Sequence, residues 1–435
     1  MKPLLPLAVL LALAAPLPAQ TAPDPSPGTS TDDGGIRVAA CDAKVPSRKR
    51  GVGMNKLSEA DFRALAPGVS WYYNWHYKTD SIPPSDAPME FVPQAWANRP
   101  EDVAGLDAYL GSVARKPRVV LAINEPNLKG QAFIPPQTTA ELFLKIKAVA
   151  DKYHLPVVGP NMALGSGGND SIKAFDPIEN KEVTYTFFVP FVKAFFSFLG
   201  SPDPVDGIGL HSYGNIGELK WATGEMYKQF NKPVWMTEYA QWKTNGMDDA
   251  VNYLVQATDF LEANPNVGGY AWFKERADNP SISLLVPKAD GQLTPLGQAY
   301  VALPPHDAQL YYRIPGVLPA ANYVTAADAA IRLSTDGDVS APLPGRGFDM
   351  AGGANAAATY NLQVDAAGTY TVVFRAMGKP GPIEIQDKDG RTLGTATTAS
   401  AAWDQAQASV ALPAGPQTIQ VKFPGQALHA IEFKP

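Results

Sequence analysis

Two glutamates at the ends of apolar runs are the residues of this sequence best suited to chemistry. Glu125 follows Asn124 at the end of the apolar run at residues 118–123, and Glu238 follows Thr237 at the end of the run at residues 233–236. Runs of β-branched and apolar residues are typical of strands buried on both faces. Burying a carboxylate beside such a strand is costly unless it has a partner or a purpose. Two such glutamates indicate one shared site, and paired carboxylates are the groups that hydrolyse glycosidic bonds.

This chemistry requires one carboxyl group that is protonated and one that is ionised. The protonated group donates to the leaving oxygen, and the ionised group attacks the anomeric carbon when configuration is retained. In retaining enzymes the two groups lie about 5–5.5 Å apart. The amide of Asn124 is placed to hydrogen-bond a sugar 2-hydroxyl, and His211 and Tyr213 are candidates to orient the nucleophile.

The elements that must hold these residues are eight short apolar segments, most of them separated by helical stretches. One helix is predicted at residues 58–65, starting from the N-cap candidate Ser58, and another at residues 139–152. Eight strand–helix units in about 250 residues is the pattern of a TIM (β/α)8 barrel, an α/β fold. An open doubly wound sheet would need a glycine-rich phosphate turn after its first strand, and residues 51–53 lack the third glycine.

Polar and aromatic residues follow nearly every predicted strand, at the barrel face where active sites lie. Packing alone explains one or two of them, but not the whole set. Some alternatives stay open, because the glutamates could form a structural ion-pair set, His211 could be a packing residue, and each tryptophan could belong to the core. The candidates for substrate binding in the barrel are Asn74, Trp75, Trp96, Asn124, His211, Tyr213 and Trp272.

Charge and residue spacing exclude several classes of partner. The net charge of −6 argues against nucleic acid, because phosphate binding needs a basic surface. No long apolar segment predicts a membrane span, and we expect a soluble monomer. No group of metal-binding residues has ligand spacing in the barrel, so we expect neither a metal nor a cofactor.

Composition predicts five parts along the 435 residues. Residues 1–19 resemble a secretory signal, with one lysine, a short apolar stretch and Ala19 as a small cleavage-site residue. Residues 20–46 predict a disordered leader, and residues 47–303 the barrel. Residues 304–309 predict a linker, and the alternating runs of residues 310–435 predict an all-β sandwich.

The single cysteine, Cys41, rules out an internal disulfide. An exported protein without disulfides is typical of bacteria, so we expect a secreted or periplasmic location. We expect Cys41 itself to be a small buried apolar residue.

Several motifs in residues 47–303 resemble glycoside hydrolases of clan A and, more narrowly, family 128. The resemblance implies a retaining β-1,3-glucanase with Glu125 as acid/base and Glu238 as nucleophile. The matching strings are Lys49-Arg50-Gly51, Trp71-Tyr72-Tyr73-Asn74-Trp75, Asn124-Glu125-Pro126-Asn127, His211-Ser212-Tyr213, Thr237-Glu238-Tyr239 and Tyr270-Ala271-Trp272-Phe273.

Residues 310–435 resemble carbohydrate-binding modules of family 6, through weak motifs that include Trp403. This resemblance implies that Trp403 stacks on a sugar, whereas the alternative is a core aromatic residue. Pro319 and Ala321 stand where that family carries acidic residues that help hold a structural calcium.

The sequence therefore predicts an exported enzyme that cleaves β-1,3-glucan, a polymer or oligosaccharide like laminarin, by endo action. Two alternatives remain open. One is another β-glycanase of the same clan, and the other is a non-catalytic glucan-binding protein built on a barrel that has lost activity.

Overall fold

A computed structural model describes residues 30–31, 35–97, 99–337 and 347–435 of the chain. The predicted signal at residues 1–19 lies outside the described residues. The chain forms a parallel barrel with surrounding helices and a separate, mostly antiparallel β domain. Among the described residues, no helix is long and apolar enough to cross a membrane.

Two short strands, β1 (Ser30–Thr31) and β2 (Arg37–Ala40), precede the barrel. We predict a disordered leader up to residue 46, and this prediction is wrong over β2. That strand pairs in parallel with β14 (Leu310–Ile314) of the second domain, and Val38 and Ala39 are buried there. Cys41 is buried as expected, and burial, followed by the charge of Asp42, raises its pKa to about 12.

The barrel has eight strand positions, as the apolar segments predict. Neighbouring strands are parallel, and the last one pairs back with the first. Segment 90–95 closes the ring, because Val92 N–H donates to Tyr72 O and Leu121 N–H donates to Pro93 O. The strands, with the inserted β9–β10 hairpin, are β3 (Ser47–Gly53), β4 (Val69–Tyr73), β5 (Glu90–Phe91), β6 (Gln94–Ala95), β7 (Val120–Ala122), β8 (Val157–Met162), β9 (Ile172–Asp176), β10 (Lys181–Tyr185), β11 (Gly207–Ser212), β12 (Val234–Tyr239) and β13 (Val267–Phe273).

Helices follow every strand position except the second, where residues 74–89 form an irregular loop. The first helix begins at the expected place, with a capping box between Ser58 and Asp61. The helices of the described residues are α1 (Glu59–Leu65), α2 (Pro100–Ser112), α3 (Pro136–Lys152), α4 (Phe188–Leu199), α5 (Ile216–Phe230), α6 (Met247–Ala263) and α7 (Pro295–Ala302), with a short 3-10 turn at Gly168–Asp170.

Large aromatic side chains fill the interior of the barrel and form the floor under the strand ends. Trp71 and Trp235 meet edge to face there, with ring centroids 5.8 Å apart, and Tyr73 packs beside Trp71. Gly51 makes room for them, because a Cβ at this position would lie 2.2 Å from the Trp71 ring. This packed floor leaves space for a ligand only above it, at the carboxyl ends of the strands. We call this face the mouth.

The second domain has two β layers that share the long strand β17, which pairs with both β22 and β23. This arrangement agrees with the predicted sandwich. Its strands are β14 (Leu310–Ile314), β15 (Gly316–Pro319), β16 (Thr325–Leu333), β17 (Phe348–Val364), β18 (Gly368–Gly378), β19 (Gly381–Asp387), β20 (Thr392–Thr398), β21 (Asp404–Leu412), β22 (Gly415–Lys422) and β23 (Gln426–Lys434).

The two domains are joined through Asp259 in the last part of α6. Tyr323 Oη donates to its carboxylate over 2.6 Å, and His306 Nε2 lies 3.0 Å from the same oxygen. Helix α6 runs back from the mouth, so its last turns lie toward the opposite end of the barrel. The sandwich therefore packs away from the mouth.

Candidate active site

Backbone at the end of β7 is held in a strained conformation that presents Glu125. Ile123 and Glu125 have φ values of 59° and 43°, in the left-handed region that costs non-glycine residues about 1–3 kcal/mol each. Glu125 N–H donates to Asn161 O over 2.7 Å, and Asn124 N–H donates to Trp96 O over 2.8 Å. These bonds from the two neighbouring strand positions hold the turn and direct the Glu125 side chain into the mouth.

Glu125, His211 and Glu238 meet at the centre of the mouth. Nδ1 of His211 lies 2.8 Å from Oε1 of Glu125 and 3.4 Å from Oε2 of Glu238. One oxygen of each carboxylate and this histidine nitrogen all lie within 4.8 Å of one another. The side chains of Glu125, His211 and Glu238 are 8%, 1% and 7% exposed, respectively. Two nearly buried carboxylates therefore share one histidine.

Glu238 accepts hydrogen bonds from side chains that can only donate here. Trp75 Nε1–H donates to its Oε1 over 2.7 Å, and Tyr213 Oη donates to its Oε2. Tyr73 Oη donates to Thr237 O over 2.9 Å and lies 3.4 Å from Glu238 Oε1. Burial, followed by the charge of Glu238, holds the pKa of both tyrosines well above 10, so both stay protonated. This environment suits a carboxylate with a fixed direction.

Glu125 has a different environment, with one side-chain partner among the described residues, His211. Burial lowers the pKa of that histidine, but the charges of Glu238 and Glu125 outweigh burial and raise it above 6.5. Two carboxylates in unlike surroundings are the arrangement that separates an acid from a nucleophile.

A groove of about 900 Å³ passes over these carboxylates. Its aromatic walls include the half-buried Trp96 and also Trp242, whose side chain is 45% exposed. Trp242 lies beside Tyr213 and Phe273, with ring centroids 5.3 and 5.8 Å away. Exposed aromatic rings beside polar groups are suited to a ligand with both apolar faces and hydroxyl groups.

The structure brings most of the candidate residues to this groove. It is lined by Trp75, Trp96, Asn124, Glu125, His211, Tyr213 and Glu238. Asn124 Nδ2 donates to Gln131 Oε1 over 3.1 Å, and Gln94 Nε2 lies 3.4 Å from Asn124 Oδ1. These contacts orient the amide at the edge of the groove.

Three candidates lie elsewhere. Trp272 is 1% exposed and donates to Ile282 O over 2.7 Å, so its substrate-binding prediction is wrong. Successive strand residues point to opposite faces, and Phe273 reaches the groove in its place. Asn74 lies outside the groove lining and donates to Lys78 O over 3.0 Å. Trp403 belongs to the second domain, where its ring edge contacts His429 at a centroid distance of 6.0 Å.

Sequence reasoning missed Trp242 and Phe187, which both line the groove. Trp242 lies three residues beyond β12, and Phe187 lies two residues beyond β10 of the inserted hairpin, so neither residue is at the end of a barrel strand. An exposed tryptophan in a strand-to-helix loop of a barrel is the signal that could have identified Trp242.

The Glu125–His211–Glu238 cluster also has the donor atoms of a metal site. However, the Trp75 N–H and the Tyr213 O–H both point at Glu238 oxygens that a cation would need. Each of these hydrogen bonds uses one of the two lone pairs of its carboxylate oxygen and fixes the direction of the Glu238 carboxylate. A carboxylate held in one direction beside a second carboxylate suits nucleophilic and acid–base chemistry.

Residues 51–300 match the family model described as glycosyl hydrolase catalytic core. A family 128 (subgroup II) endo-β-1,3-glucanase from Sorangium cellulosum is 32% identical, with a TM-score of 0.50, and the match covers 60% of this chain and 100% of that one. A subgroup II enzyme of the same description from Pseudomonas viridiflava is 30% identical, with a TM-score of 0.49 and coverage of 60% and 99%. No curated protein matches the chain significantly.

Proposed function

This chain belongs to the glycosyl hydrolase catalytic core family and to glycoside hydrolase family 128, and we propose that it hydrolyses β-1,3-glucan by endo action with retention of configuration. The observation that carries this proposal is the carboxylate pair in the groove, with oxygens of Glu125 and Glu238 within 4.8 Å. Retaining enzymes have a separation of about 5–5.5 Å, whereas inverting enzymes need about 6.5–9.5 Å to admit a water molecule. The Sorangium relative, which is described as an endo-β-1,3-glucanase, supports the choice of substrate.

We assign the two roles from the hydrogen bonds. Glu238, which is held by Trp75 and Tyr213, attacks the anomeric carbon. As the bond from that carbon to the glycosidic oxygen breaks, Glu125 donates its proton to the leaving oxygen. In the second step Glu125 takes a proton from water, the water oxygen bonds to the anomeric carbon, and Glu238 is released. Two displacements return the sugar to its original configuration.

Replacing Trp75 by phenylalanine is expected to lower kcat about 10- to 100-fold with little change in KM. The variant keeps an aromatic ring but loses the N–H that directs Glu238 Oε1. Hydrogen bonds to charged groups contribute about 1.5–3 kcal/mol, which corresponds to this range of rates. Steady-state kinetics on laminarin measures the effect.

Trp96→Phe is the matched control, because Trp96 lines the groove without a hydrogen bond to Glu238. It should change KM more than kcat. Equal kcat values for the Trp75→Phe variant and the wild type would contradict the role of the indole N–H.

Product analysis on intact polysaccharides tests the proposed function. Laminarin should yield a ladder of short oligosaccharides early in the reaction, and proton NMR should show the β-anomer first. β-1,4-Glucans and mannans should remain intact. Release of glucose alone from the outset would reject endo action, cleavage of a β-1,4-polymer would favour another β-glycanase, and binding without new reducing ends would reject the enzyme.

We further propose that residues 1–19 direct export and that the sandwich domain binds glucan as a tether. Trp403 is half-buried, so part of its ring is accessible to a sugar face. Because the sandwich packs away from the mouth, a bound chain would hold the enzyme near its substrate without lengthening the groove.

Trp403→Ala should therefore weaken retention on insoluble β-1,3-glucan but leave kcat on soluble laminarin unchanged. Amino-terminal sequencing of the exported protein tests the signal.

A further inference from the structure

We infer that Thr237 and Asn161 are positioning residues that place a proton on Nε2 of His211, and that they thereby keep a second proton shared between His211 and Glu125. This inference rests on the proposed function, because it assigns the source of the proton that the acid step consumes. It follows from a buried chain of hydrogen bonds whose donors and acceptors can be assigned one at a time.

Asn161 fixes the first direction in this chain. Its side chain is fully buried, and its Nδ2 group donates to Ala122 O over 2.9 Å and lies 3.4 Å from Ile123 O. An amide nitrogen can only donate, so these two carbonyls determine which end of the amide is which. The Oδ1 atom is therefore the end that lies 3.0 Å from Thr237 Oγ1, and it accepts a hydrogen bond from that hydroxyl.

Thr237 passes this direction on to His211. A threonine hydroxyl has one hydrogen, and here that hydrogen points to Asn161 Oδ1. Toward Nε2 of His211, which is 3.1 Å away, the same oxygen can only accept. The imidazole must therefore have its hydrogen on Nε2, and both residues are about 1% exposed, so water does not compete for these bonds.

The other nitrogen, Nδ1, then has a lone pair when the ring is neutral. It faces Glu125 Oε1 at 2.8 Å and Glu238 Oε2 at 3.4 Å. A lone pair at 2.8 Å from a carboxylate oxygen is unfavourable unless one proton lies between them. The Glu125–His211 pair therefore retains a proton, either as carboxylic acid with imidazole or as carboxylate with imidazolium.

The surrounding charges agree with this assignment. Among the described residues, Glu125 and Glu238 are the charged groups that contact the ring, while Tyr73 and Tyr213 reach it only through Glu238. Both tyrosines stay protonated, and the two carboxylates raise the pKa of His211. When Glu125 gives its proton to the glycosidic oxygen, the pair becomes deprotonated, and the attacking water restores that proton in the second step.

Thr237→Val is the test, because valine has nearly the same shape but neither accepts from Nε2 nor donates to Asn161. The neutral ring is then free to place its hydrogen on Nδ1, where it can donate to an ionised Glu125. The pair can now lose its proton without an unfavourable contact. The alkaline limb of the kcat/KM profile on laminarin should therefore move to lower pH, by about one pH unit.

Thr237→Ser is the matched control, because it keeps the hydroxyl and should restore the wild-type limb. If the valine variant does not fold, Thr237→Ala removes the same hydroxyl with a smaller side chain. An alkaline limb that coincides with that of the wild type in the folded variant would overturn the inference, since a merely structural role would lower activity at every pH equally.

A second measurement does not depend on activity. Nitrogen-15 NMR of histidine-labelled protein reports which ring nitrogen is protonated, and His211→Asn assigns the signal among the five histidines. The wild-type ring should be protonated at Nε2, and the neutral ring of the valine variant at Nδ1. A wild-type ring protonated at Nδ1 alone would overturn the inference. An inactive wild type with the expected NMR signal would instead reject only the proposed function.

Discussion

Replacing Glu238 by glutamine is expected to lower kcat on laminarin by at least about 10³-fold while the protein remains folded. Glutamine has the shape of glutamate, but its neutral amide cannot attack the anomeric carbon. Its amide oxygen can still accept from Trp75, so the packing of the groove changes little. In other enzymes that form a covalent intermediate, loss of the nucleophile alone removes most of the catalysis. Reducing-end assays measure the loss, and thermal unfolding checks the fold.

A groove glutamate outside the centre provides the control for this variant. Glu218 lines the same groove, and its Oε1 lies 3.4 Å from Ser212 Oγ, away from the shared histidine. Glu218→Gln should keep kcat within about tenfold of the wild type, because it alters no reacting atom. If Glu238→Gln keeps more than about a tenth of the wild-type rate, Glu238 is not the nucleophile.

The smaller variant Glu238→Gly adds a stereochemical test. Added azide can enter the space left by the side chain and attack the anomeric carbon of a substrate with an activated leaving group. One displacement in place of two should yield the α-glycosyl azide. Formation of the β-product would place the nucleophile elsewhere.

The positions of the two glutamates could be predicted because barrel topology converts strand ends in the sequence into one face in space. Residues 118–123 and 233–236 identify buried strands, and the residues that follow must meet at the mouth. The prediction fails where it depends on which of two adjacent strand residues faces the groove. Trp272 and Phe273 are adjacent and both aromatic, but alternate residues of a strand face opposite sides, so only Phe273 reaches the groove.

Local sequence patterns do not predict which distant segments pair with each other. The strand β2 lies in a stretch that resembles a disordered leader, but it pairs with β14 about 270 residues later in the chain. The contact between His211 and Glu125 is a similar case. We expect His211 to orient the nucleophile, whereas its shorter contact, 2.8 Å, is to Glu125 and its contact to Glu238 is 3.4 Å. Such differences of about half an ångström depend on barrel shear and rotamers, which local sequence patterns do not report.

Replacing Glu125 by alanine is expected to lower kcat on laminarin about 10³-fold but to spare the first step on substrates whose leaving group needs no proton. A glucan leaving group is an alkoxide unless it receives a proton, and Glu125 is the group placed to supply it. A dinitrophenolate leaves readily as an anion. On a dinitrophenyl β-laminaribioside the variant should therefore show a rapid burst of dinitrophenol followed by a slow phase, because water then lacks its general base.

Azide separates this variant from the nucleophile variant. It needs no general base, so it should restore turnover of the Glu125→Ala glycosyl-enzyme and yield the β-glycosyl azide by two displacements. The Glu238→Gly variant should yield the α-azide by one. His211 would still lie 3.4 Å from Glu238 in the Glu125→Ala protein, so the nucleophile keeps that neighbour and its Trp75 and Tyr213 donors. A loss of the dinitrophenol burst in the Glu125→Ala variant that is as complete as its loss of laminarin hydrolysis would mean that Glu125 does more than transfer a proton. The two carboxylates would then need roles different from those assigned by their hydrogen bonds.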